Sequence, residues 1–126
     1  MDNKYNQSIV YIIVCDTTKL FYIGSTIQGI NKREMKHKCD YKGHTGINPK
    51  FRNYRYSFKC LENDNYRFIK LEDYNCDNKE DLLIREKEYM TYYSNKYKNR
   101  CVNKLTPIKK YNEEDLLYNN LNIIDI

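Results

Sequence analysis

The sequence predicts an α/β fold in which a small central three-stranded antiparallel sheet is flanked by helices. Two β-branched and aromatic runs, SIVYIIV at 8–14 and LFYIGS at 20–25, are separated by a short polar turn, which favours an antiparallel hairpin. A third run, YRFIKLED at 66–73, alternates as a strand does. Two helical segments are predicted after the hairpin and two more after the third run. The predicted element order is therefore ββααβαα.

The first predicted helix covers NKREMKHKCDYK at 31–42, with Asn31 as its N-cap. Gly43 and Gly46 are expected to break the chain after it, because glycine is a poor helix former. An Asn-Pro pair then indicates a second helical segment over roughly 48–58, since proline suits the first turn of a helix.

A long helix is predicted over 79–94, capped by Asp77 or Asn78. Its apolar positions form a stripe that faces the core and is interrupted by Glu86. The stripe consists of Leu82, Leu83, Met90 and Tyr93.

A last helix is predicted over 112–124, with three apolar side chains on one side, namely Leu117, Leu121 and Ile124. These side chains are expected to dock on the domain's own core, and a dimer contact is the alternative.

Net charge is +5, and it is unevenly distributed over the 126 residues. Residues 111–126 hold four acidic side chains and no Lys or Arg, which leaves +9 on residues 1–110. A basic body favours phosphate-rich partners, and a generic solvated surface is the alternative. We predict a main domain over 1–107 and an acidic helical extension over 108–126, packed on the same domain or on a partner protomer.

Cysteine spacing and hydropathy exclude several protein classes. The five cysteines are scattered and form no CxxC or Cys/His cluster, which favours reduced thiols over disulfides or zinc ligands. Mean hydropathy is −0.90, and no apolar run approaches the roughly 18 residues of a membrane span. The opening residues, MDNKYNQS, lack the pattern of a secretory signal. We expect an intracellular protein with no membrane partner.

Five short motifs lie in a consistent order along the basic body. In chain order they are VYI at 10–12, YIG at 22–24, KREMKH at 32–37, REKEYM at 85–90 and CVNK at 101–104. Together they resemble the GIY-YIG nuclease family over about residues 8–104. One position departs from the family pattern, since Ile9 stands where the first triplet normally begins with glycine.

The resemblance implies hydrolysis of phosphodiester bonds in DNA, assisted by a divalent metal ion, Mg²⁺ or Mn²⁺. Glu86 matches the metal-binding glutamate, and a carboxylate is a hard ligand suited to Mg²⁺. Arg33 would neutralise charge on the scissile phosphate. His37, one helical turn later, would shuttle a proton or donate to the phosphate. The alternatives are exposed surface roles for Glu86 and Arg33 and a structural or solvated role for His37.

Tyr11 and Tyr22 are the two phenols that the resemblance assigns to the site. Ionising a phenol at pH 7 costs about 4 kcal/mol, which a nearby cation would offset. Either tyrosine is therefore a candidate general base while the other orients water or phosphate, and half-buried sheet residues are the alternative. Gly24 is expected to permit a close approach of chain or phosphate, and Asn103 to hold the site together by hydrogen bonds.

Three lysines on the helix of Arg33 are predicted to bind the DNA backbone, namely Lys32, Lys36 and Lys38. One such site cuts one strand, so a homodimer is one route to a double-strand break. The alternative function is a catalytically inactive nucleic-acid-binding module on the same fold, and a protein-interaction adaptor is a third. Heavy use of Asn, Lys and Ile favours a viral, phage or mobile-intron background. A viral protein of this kind would act in the host cytoplasm or nucleus.

Overall fold

The fold is that of a computed structural model, which describes residues 3–45, 55–104, 111–122 and 124–126. Its elements are a 3-10 turn (Lys4–Gln7), β1 (Ile9–Cys15), β2 (Phe21–Thr26), α1 (Ile30–Thr45), α2 (Phe58–Leu61), β3 (Tyr66–Asp73), α3 (Lys79–Lys96) and α4 (Glu113–Asn119). The predicted three-stranded antiparallel sheet flanked by helices is confirmed.

The strand order is β2-β1-β3, and both pairings are antiparallel. All seven residues of the central strand β1 are buried, which explains why its sequence is a continuous apolar run. The register places Tyr11 opposite Gly24 and Ile13 opposite Tyr22. Both tyrosines therefore lie on one face of the hairpin, because side chains alternate along a strand.

The two faces of the sheet pack against different helices. One face packs against α3 and α4 through a cluster that includes Val10, Ile12, Val14, Phe21 and Ile23. The opposite face, which carries the two tyrosines, packs against α1 and α2 through a smaller cluster of Tyr11, Ile13, Phe58, Cys60 and Leu61. Helices on both faces bring side chains to the same hairpin.

The first helix, α1, is longer than predicted at both ends. It begins at Ile30, so Asn31 lies inside the helix and the prediction of an Asn31 cap is wrong. It also continues through Gly43, where a break was predicted. Glycine costs a helix only about 1 kcal/mol, and α1 buries His37 and Asp40, so packing outweighs the local preference.

The predicted segment 48–58 is only partly described. Gly46 and residues 48–54 lie outside the described residues, and residues 55–57 are not helical. The short helix α2 begins at Phe58, where the prediction had the segment end. Ser57, immediately before it, is buried with 1% of its surface exposed.

The long helix α3 is confirmed, and its N-cap is Asn78, whose side chain accepts a hydrogen bond from the Asp81 N–H. The predicted stripe is correct at Leu82, Met90 and Tyr93, which are buried, and wrong at Leu83, which is 37% exposed. The helix buries Arg85 and Tyr89 instead.

The last helix, α4, is shorter than predicted and presents a different side to the core. Leu117 and Leu121 are exposed, whereas Leu116 and Ile124 are buried. Asn112 caps the helix by accepting a hydrogen bond from the Asp115 N–H. The predicted docking is therefore wrong at Leu117, whose neighbour Leu116 is buried instead, and at Leu121, which lies beyond the end of α4. It is correct at Ile124.

Both outer strands of the sheet are partly covered. Beyond α4, the Leu121 N–H donates to the Leu71 carbonyl of β3 (2.7 Å), and the Asn122 side chain donates to the Lys70 carbonyl (2.6 Å). On the opposite edge, the segment after α3 forms an isolated parallel bridge with the first residue of β2. Other chain segments thus occupy backbone groups along both outer strands.

A buried ion pair joins α3, β3 and α4. The Arg85 Nε and Nη2 groups donate to the two carboxylate oxygens of Glu72 (2.8 and 2.7 Å), and Arg85 Nη1 donates to Asp115 (2.9 Å). The Tyr89 hydroxyl donates to Glu72 as well (2.9 Å). Arg85 and Glu72 are 4% and 2% exposed, so the charges depend on each other rather than on water.

All five cysteines are free thiols. Among the helices in the described ranges, none has both the length and the apolar character needed to cross a bilayer.

Candidate active site

The hydroxyl group of Tyr11 lies directly over Gly24 of the neighbouring strand. A Cβ atom built on Gly24 would overlap the hydroxyl and Cζ atoms of Tyr11 and would lie 3.0 Å from its Cε1. Gly24 is therefore needed because any larger residue at this position would overlap the Tyr11 phenol. The sequence predicts that Gly24 permits a close approach, and the group that approaches it is the Tyr11 phenol.

Tyr11 is the centre of a chain of polar contacts below the surface. Its hydroxyl accepts a hydrogen bond from Arg33 Nε (3.2 Å) and lies 2.7 Å from His37 Nε2. The other ring nitrogen of His37, Nδ1, lies 2.9 Å from the Ser57 hydroxyl. Tyr11, His37 and Ser57 are 0%, 3% and 1% exposed.

Burial keeps the two central groups of this chain uncharged. It raises the pKa of Tyr11 above its usual range, with Tyr22 adding to the effect. Burial, together with the nearby Arg33 guanidinium, lowers the pKa of His37 to about 4. At neutral pH a neutral phenol therefore meets a neutral imidazole.

Tyr22 borders the same histidine but takes no part in the chain of contacts. Its ring centroid lies 5.7 Å from that of His37, edge to face. Within the described ranges its hydroxyl makes no hydrogen bond to the protein. Burial and the Glu86 carboxylate raise the pKa of Tyr22.

Glu86 reaches the hairpin from α3, on the other face of the sheet. Its Oε1 accepts a hydrogen bond from the Ser25 hydroxyl of β2 (2.9 Å). Burial raises the pKa of Glu86, although Ser25 and the Arg33 guanidinium both favour its charged form. A cation bound beside this carboxylate would further favour the ionised form.

A surface groove of about 540 Å³ joins Glu86 to Arg33. Lys4 of the 3-10 turn and Lys79 of α3 also line it, so three cations surround one carboxylate. Only the Nε group of Arg33 is engaged by Tyr11, and its Nη groups make no hydrogen bond to the described residues. The guanidinium can therefore present its Nη groups to an anion in the groove.

Asn103 holds the backbone of β2 by two hydrogen bonds. Its Oδ1 accepts from the Ile23 N–H and its Nδ2 donates to the Ile23 carbonyl, both at 2.8 Å. Ile23 lies between Tyr22 and Gly24, so the clamp fixes the strand that carries the second triplet. Asn103 is thus placed to support the site from outside the groove.

The three lysines predicted to bind DNA have different surroundings. Lys36 and Lys38 pair with carboxylates on their own helix, Asp40 (3.2 Å) and Glu34 (2.6 Å). Lys32 lines a second groove, of about 430 Å³, which shares the loop residues Ile27 and Gln28 with the first. Of the three, Lys32 lies next to the candidate site.

The donor set around Glu86 suits a hard divalent cation. Mg²⁺ keeps several waters and requires only one or two protein carboxylates. Within the described ranges no cluster of three or more His, Cys, Asp or Glu side chains exists, so a zinc-type cage is absent there. One half-buried carboxylate that opens onto a groove fits a largely hydrated Mg²⁺ or Mn²⁺ ion.

Three cations and a carboxylate line one groove, and the Tyr11 phenol lies behind it, hydrogen-bonded to Arg33. These groups meet the requirements of phosphodiester hydrolysis, and together with the fold they define a nuclease-type domain. The family model for the GIY-YIG catalytic domain matches residues 7–112, and the chain belongs to the GIY-YIG family. Nucleases of this family generally depend on a divalent metal. Comparison with curated proteins and with solved structures found no significant match.

Four residues of the site were not expected from the sequence, namely Lys4, Ser25, Ser57 and Lys79. The two serines belong to no residue pattern that would mark them in the sequence, and lysines are frequent throughout this chain. Ser25 directly follows the YIG triplet, and that adjacency was the one available indication of a role.

A Gly24→Ala substitution should displace Tyr11 and reduce nuclease activity at least about tenfold, with a stability loss of about 1–3 kcal/mol from overpacking. Gly29→Ala is the matched control, because Gly29 has a φ of +86° and nothing within 4 Å of its Cβ position. That control should lose about 1–2 kcal/mol through backbone strain and keep its activity. Urea unfolding and DNA cleavage measure the two effects. Equal activity of both variants would show that the Tyr11 contact is dispensable.

Proposed function

We propose that this protein is a metal-dependent endonuclease that hydrolyses phosphodiester bonds in DNA. The observation that carries the proposal is the groove shared by Arg33 and Glu86, which reach it from helices on opposite faces of the sheet. A module that only binds nucleic acid would use the cations but would gain nothing from Glu86. A carboxylate beside the phosphate repels it unless a cation lies between them.

Each polar group of the site has a distinct proposed role. Glu86 would hold Mg²⁺ or Mn²⁺, which when bound supplies Lewis-acid stabilisation of phosphate charge and a more acidic water. The Nη groups of Arg33 would bind the scissile phosphate. Tyr11 has a neutral His37 imidazole beside it and is our candidate for proton transfer. Tyr22 has a hydroxyl without a protein partner among the described residues and would orient water or phosphate.

Charge around the groove supports a nucleic acid as the substrate. Lys4 and Lys79 flank the groove, and Lys32 lines the adjoining one. Contacts to phosphate position a nucleic acid without reading its sequence, so these cations would bind DNA with little sequence preference. The free thiols fit a reducing compartment, and we propose that the protein acts inside a cell.

A single site of this kind cuts one strand at a time. We therefore expect nicks before double-strand breaks in plasmid DNA. Pairing of two copies on one duplex would give a break in both strands, and a second independent nick would do the same.

The test is incubation of purified protein with supercoiled plasmid, with Mg²⁺, with Mn²⁺ and with a chelator. Wild type should nick the plasmid only with a divalent metal. Arg33→Ala should slow nicking by about 100- to 1,000-fold, the usual cost of removing one group that stabilises transition-state charge. Arg67→Ala removes an exposed arginine that pairs with Asp16 and should cut at the wild-type rate.

Retention of plasmid without cutting under every metal condition would overturn the nuclease proposal and favour the binding module. Branched DNA and single-stranded RNA are further arms of the same assay. Cutting of RNA alone would overturn the assignment of DNA as the substrate.

A further inference from the structure

Ser57 ends the chain of contacts that begins at Arg33. Its hydroxyl oxygen lies 2.9 Å from His37 Nδ1, and the opposite ring nitrogen lies 2.7 Å from the Tyr11 hydroxyl. The imidazole also packs against aromatic rings, with those of Tyr22 and Phe68 each centred 5.7 Å away. Ring packing fixes where the imidazole lies, whereas the two polar contacts decide which nitrogen carries the proton.

A neutral imidazole has one N–H and one lone pair, so the partner of one nitrogen determines the role of the other. His37 is neutral at pH 7, since burial and Arg33 lower its pKa to about 4. If Nδ1–H donates to Ser57, then Nε2 accepts the Tyr11 O–H. If the Ser57 hydroxyl donates to Nδ1, then Nε2–H donates to the Tyr11 oxygen.

The surroundings of Tyr11 favour the first arrangement. Arg33 Nε already donates to the Tyr11 oxygen (3.2 Å), and a second incoming N–H would crowd three hydrogens around one phenol oxygen. It would also leave the Tyr11 O–H without an acceptor among the described residues, in a side chain with no exposed surface. A buried donor without a partner is destabilising, because it has lost its hydrogen bond to water and gained no other.

We propose that Ser57 is a positioning residue: its hydroxyl oxygen accepts a hydrogen bond from Nδ1–H of His37, which leaves the Nε2 lone pair to accept a hydrogen bond from the Tyr11 hydroxyl. The direction of that hydroxyl in turn decides which lone pair of the phenol oxygen accepts the hydrogen bond from Arg33, and Arg33 lines the groove. The inference extends the proposed nuclease function, because the oriented phenol is one of its candidate proton-transfer groups. Ser57 acts only through His37 and does not contact the substrate.

Imidazole ¹⁵N chemical shifts test the proposal whether or not the protein cuts DNA. A His44→Gln background leaves one histidine to observe, since the chain has two. At pH 7 the His37 signals should show protonated Nδ1 and unprotonated Nε2. Ser57→Ala removes the acceptor for Nδ1–H and should raise the fraction of imidazole protonated at Nε2, while Ser57→Thr, which keeps a hydroxyl, should preserve the original tautomer. Protonated Nε2 in the unsubstituted Ser57 protein would overturn the proposal. An unchanged tautomer in Ser57→Ala would also overturn the proposal.

Cleavage kinetics supply the second readout. Ser57→Ala should lower kcat about tenfold with KM unchanged, and Ser57→Thr should restore most of the rate. In a His37→Phe background, Ser57→Ala should have no further effect, because its influence passes through the imidazole. The same tenfold loss in both backgrounds would overturn the proposal. If wild type fails to cut, the nuclease proposal fails, and the NMR experiment still decides the role of Ser57.

Discussion

Glu86→Gln should abolish metal-dependent cleavage, with a rate loss of at least about 1,000-fold, or about 4 kcal/mol of transition-state stabilisation. Glutamine keeps the size of the side chain, and its carbonyl oxygen can still accept the Ser25 hydrogen bond. The variant should therefore fold as wild type does. What it loses is the negative charge that would hold Mg²⁺ or Mn²⁺ in the groove.

The measurement is nicking of supercoiled plasmid, accompanied by a Mn²⁺ titration monitored by electron paramagnetic resonance. Wild type should bind one Mn²⁺ that Glu86→Gln does not bind. DNA affinity without metal should stay the same or rise, because the substitution removes a negative charge beside the phosphate. Glu80→Gln is the control, as Glu80 is an exposed carboxylate in the first turn of the same helix. Cleavage by Glu86→Gln at the control's rate would exclude Glu86 as a metal ligand.

Arg85→Met should cost about 3–5 kcal/mol of unfolding free energy, because it leaves the buried Glu72 carboxylate without its partner. Stability of a domain this size is about 5–15 kcal/mol in total, so the variant approaches the threshold of folding. Methionine fills part of the volume of the arginine side chain. The loss of unfolding free energy therefore reflects the unpaired Glu72 charge more than an empty cavity.

Arg67→Met is the matched comparison, since Arg67 also pairs with a carboxylate, that of Asp16, but is half exposed. That variant should lose no more than about 1 kcal/mol. Urea unfolding at pH 7 measures the unfolding free energy of both arginine variants. Adding Glu72→Leu to Arg85→Met should recover part of the loss, because the pair is then replaced by apolar groups. Equal losses for the two arginine variants would contradict a dominant role for burial.

The sequence predicted well those strands and helices whose residue pattern lies within one continuous segment of the chain. The hairpin and β3 are rich in β-branched and aromatic residues, and α3 has a long apolar stripe with an asparagine before it. The errors arise where tertiary contacts override the local pattern. Gly43 stays helical because α1 is held by packing, and α4 turns Leu116 inward because Asp115 pairs with Arg85.

The candidate site was predicted in its charged and aromatic members, whose residue types and order resemble those of a family. Arg33, His37, Tyr11 and Tyr22 do lie together. Of these four, Arg33 alone lines the groove, which it shares with Glu86. Their catalytic roles stay predictions. Burial of Arg85, by contrast, was not foreseen, since a lone arginine on a helix is usually exposed and its partner Glu72 lies on a distant segment.

The covering of the outer strands has a consequence for handling this protein. An unpaired strand edge is a template on which a second chain can add its own strand. Here the Leu121 and Asn122 contacts fill part of the β3 edge. A shortened form that ends before Asn112 would expose those carbonyls, and we expect it to precipitate or to form amyloid-like aggregates on concentration. At the covered positions, two intact copies that associate on DNA could not extend the sheet, which favours contacts through helices or loops.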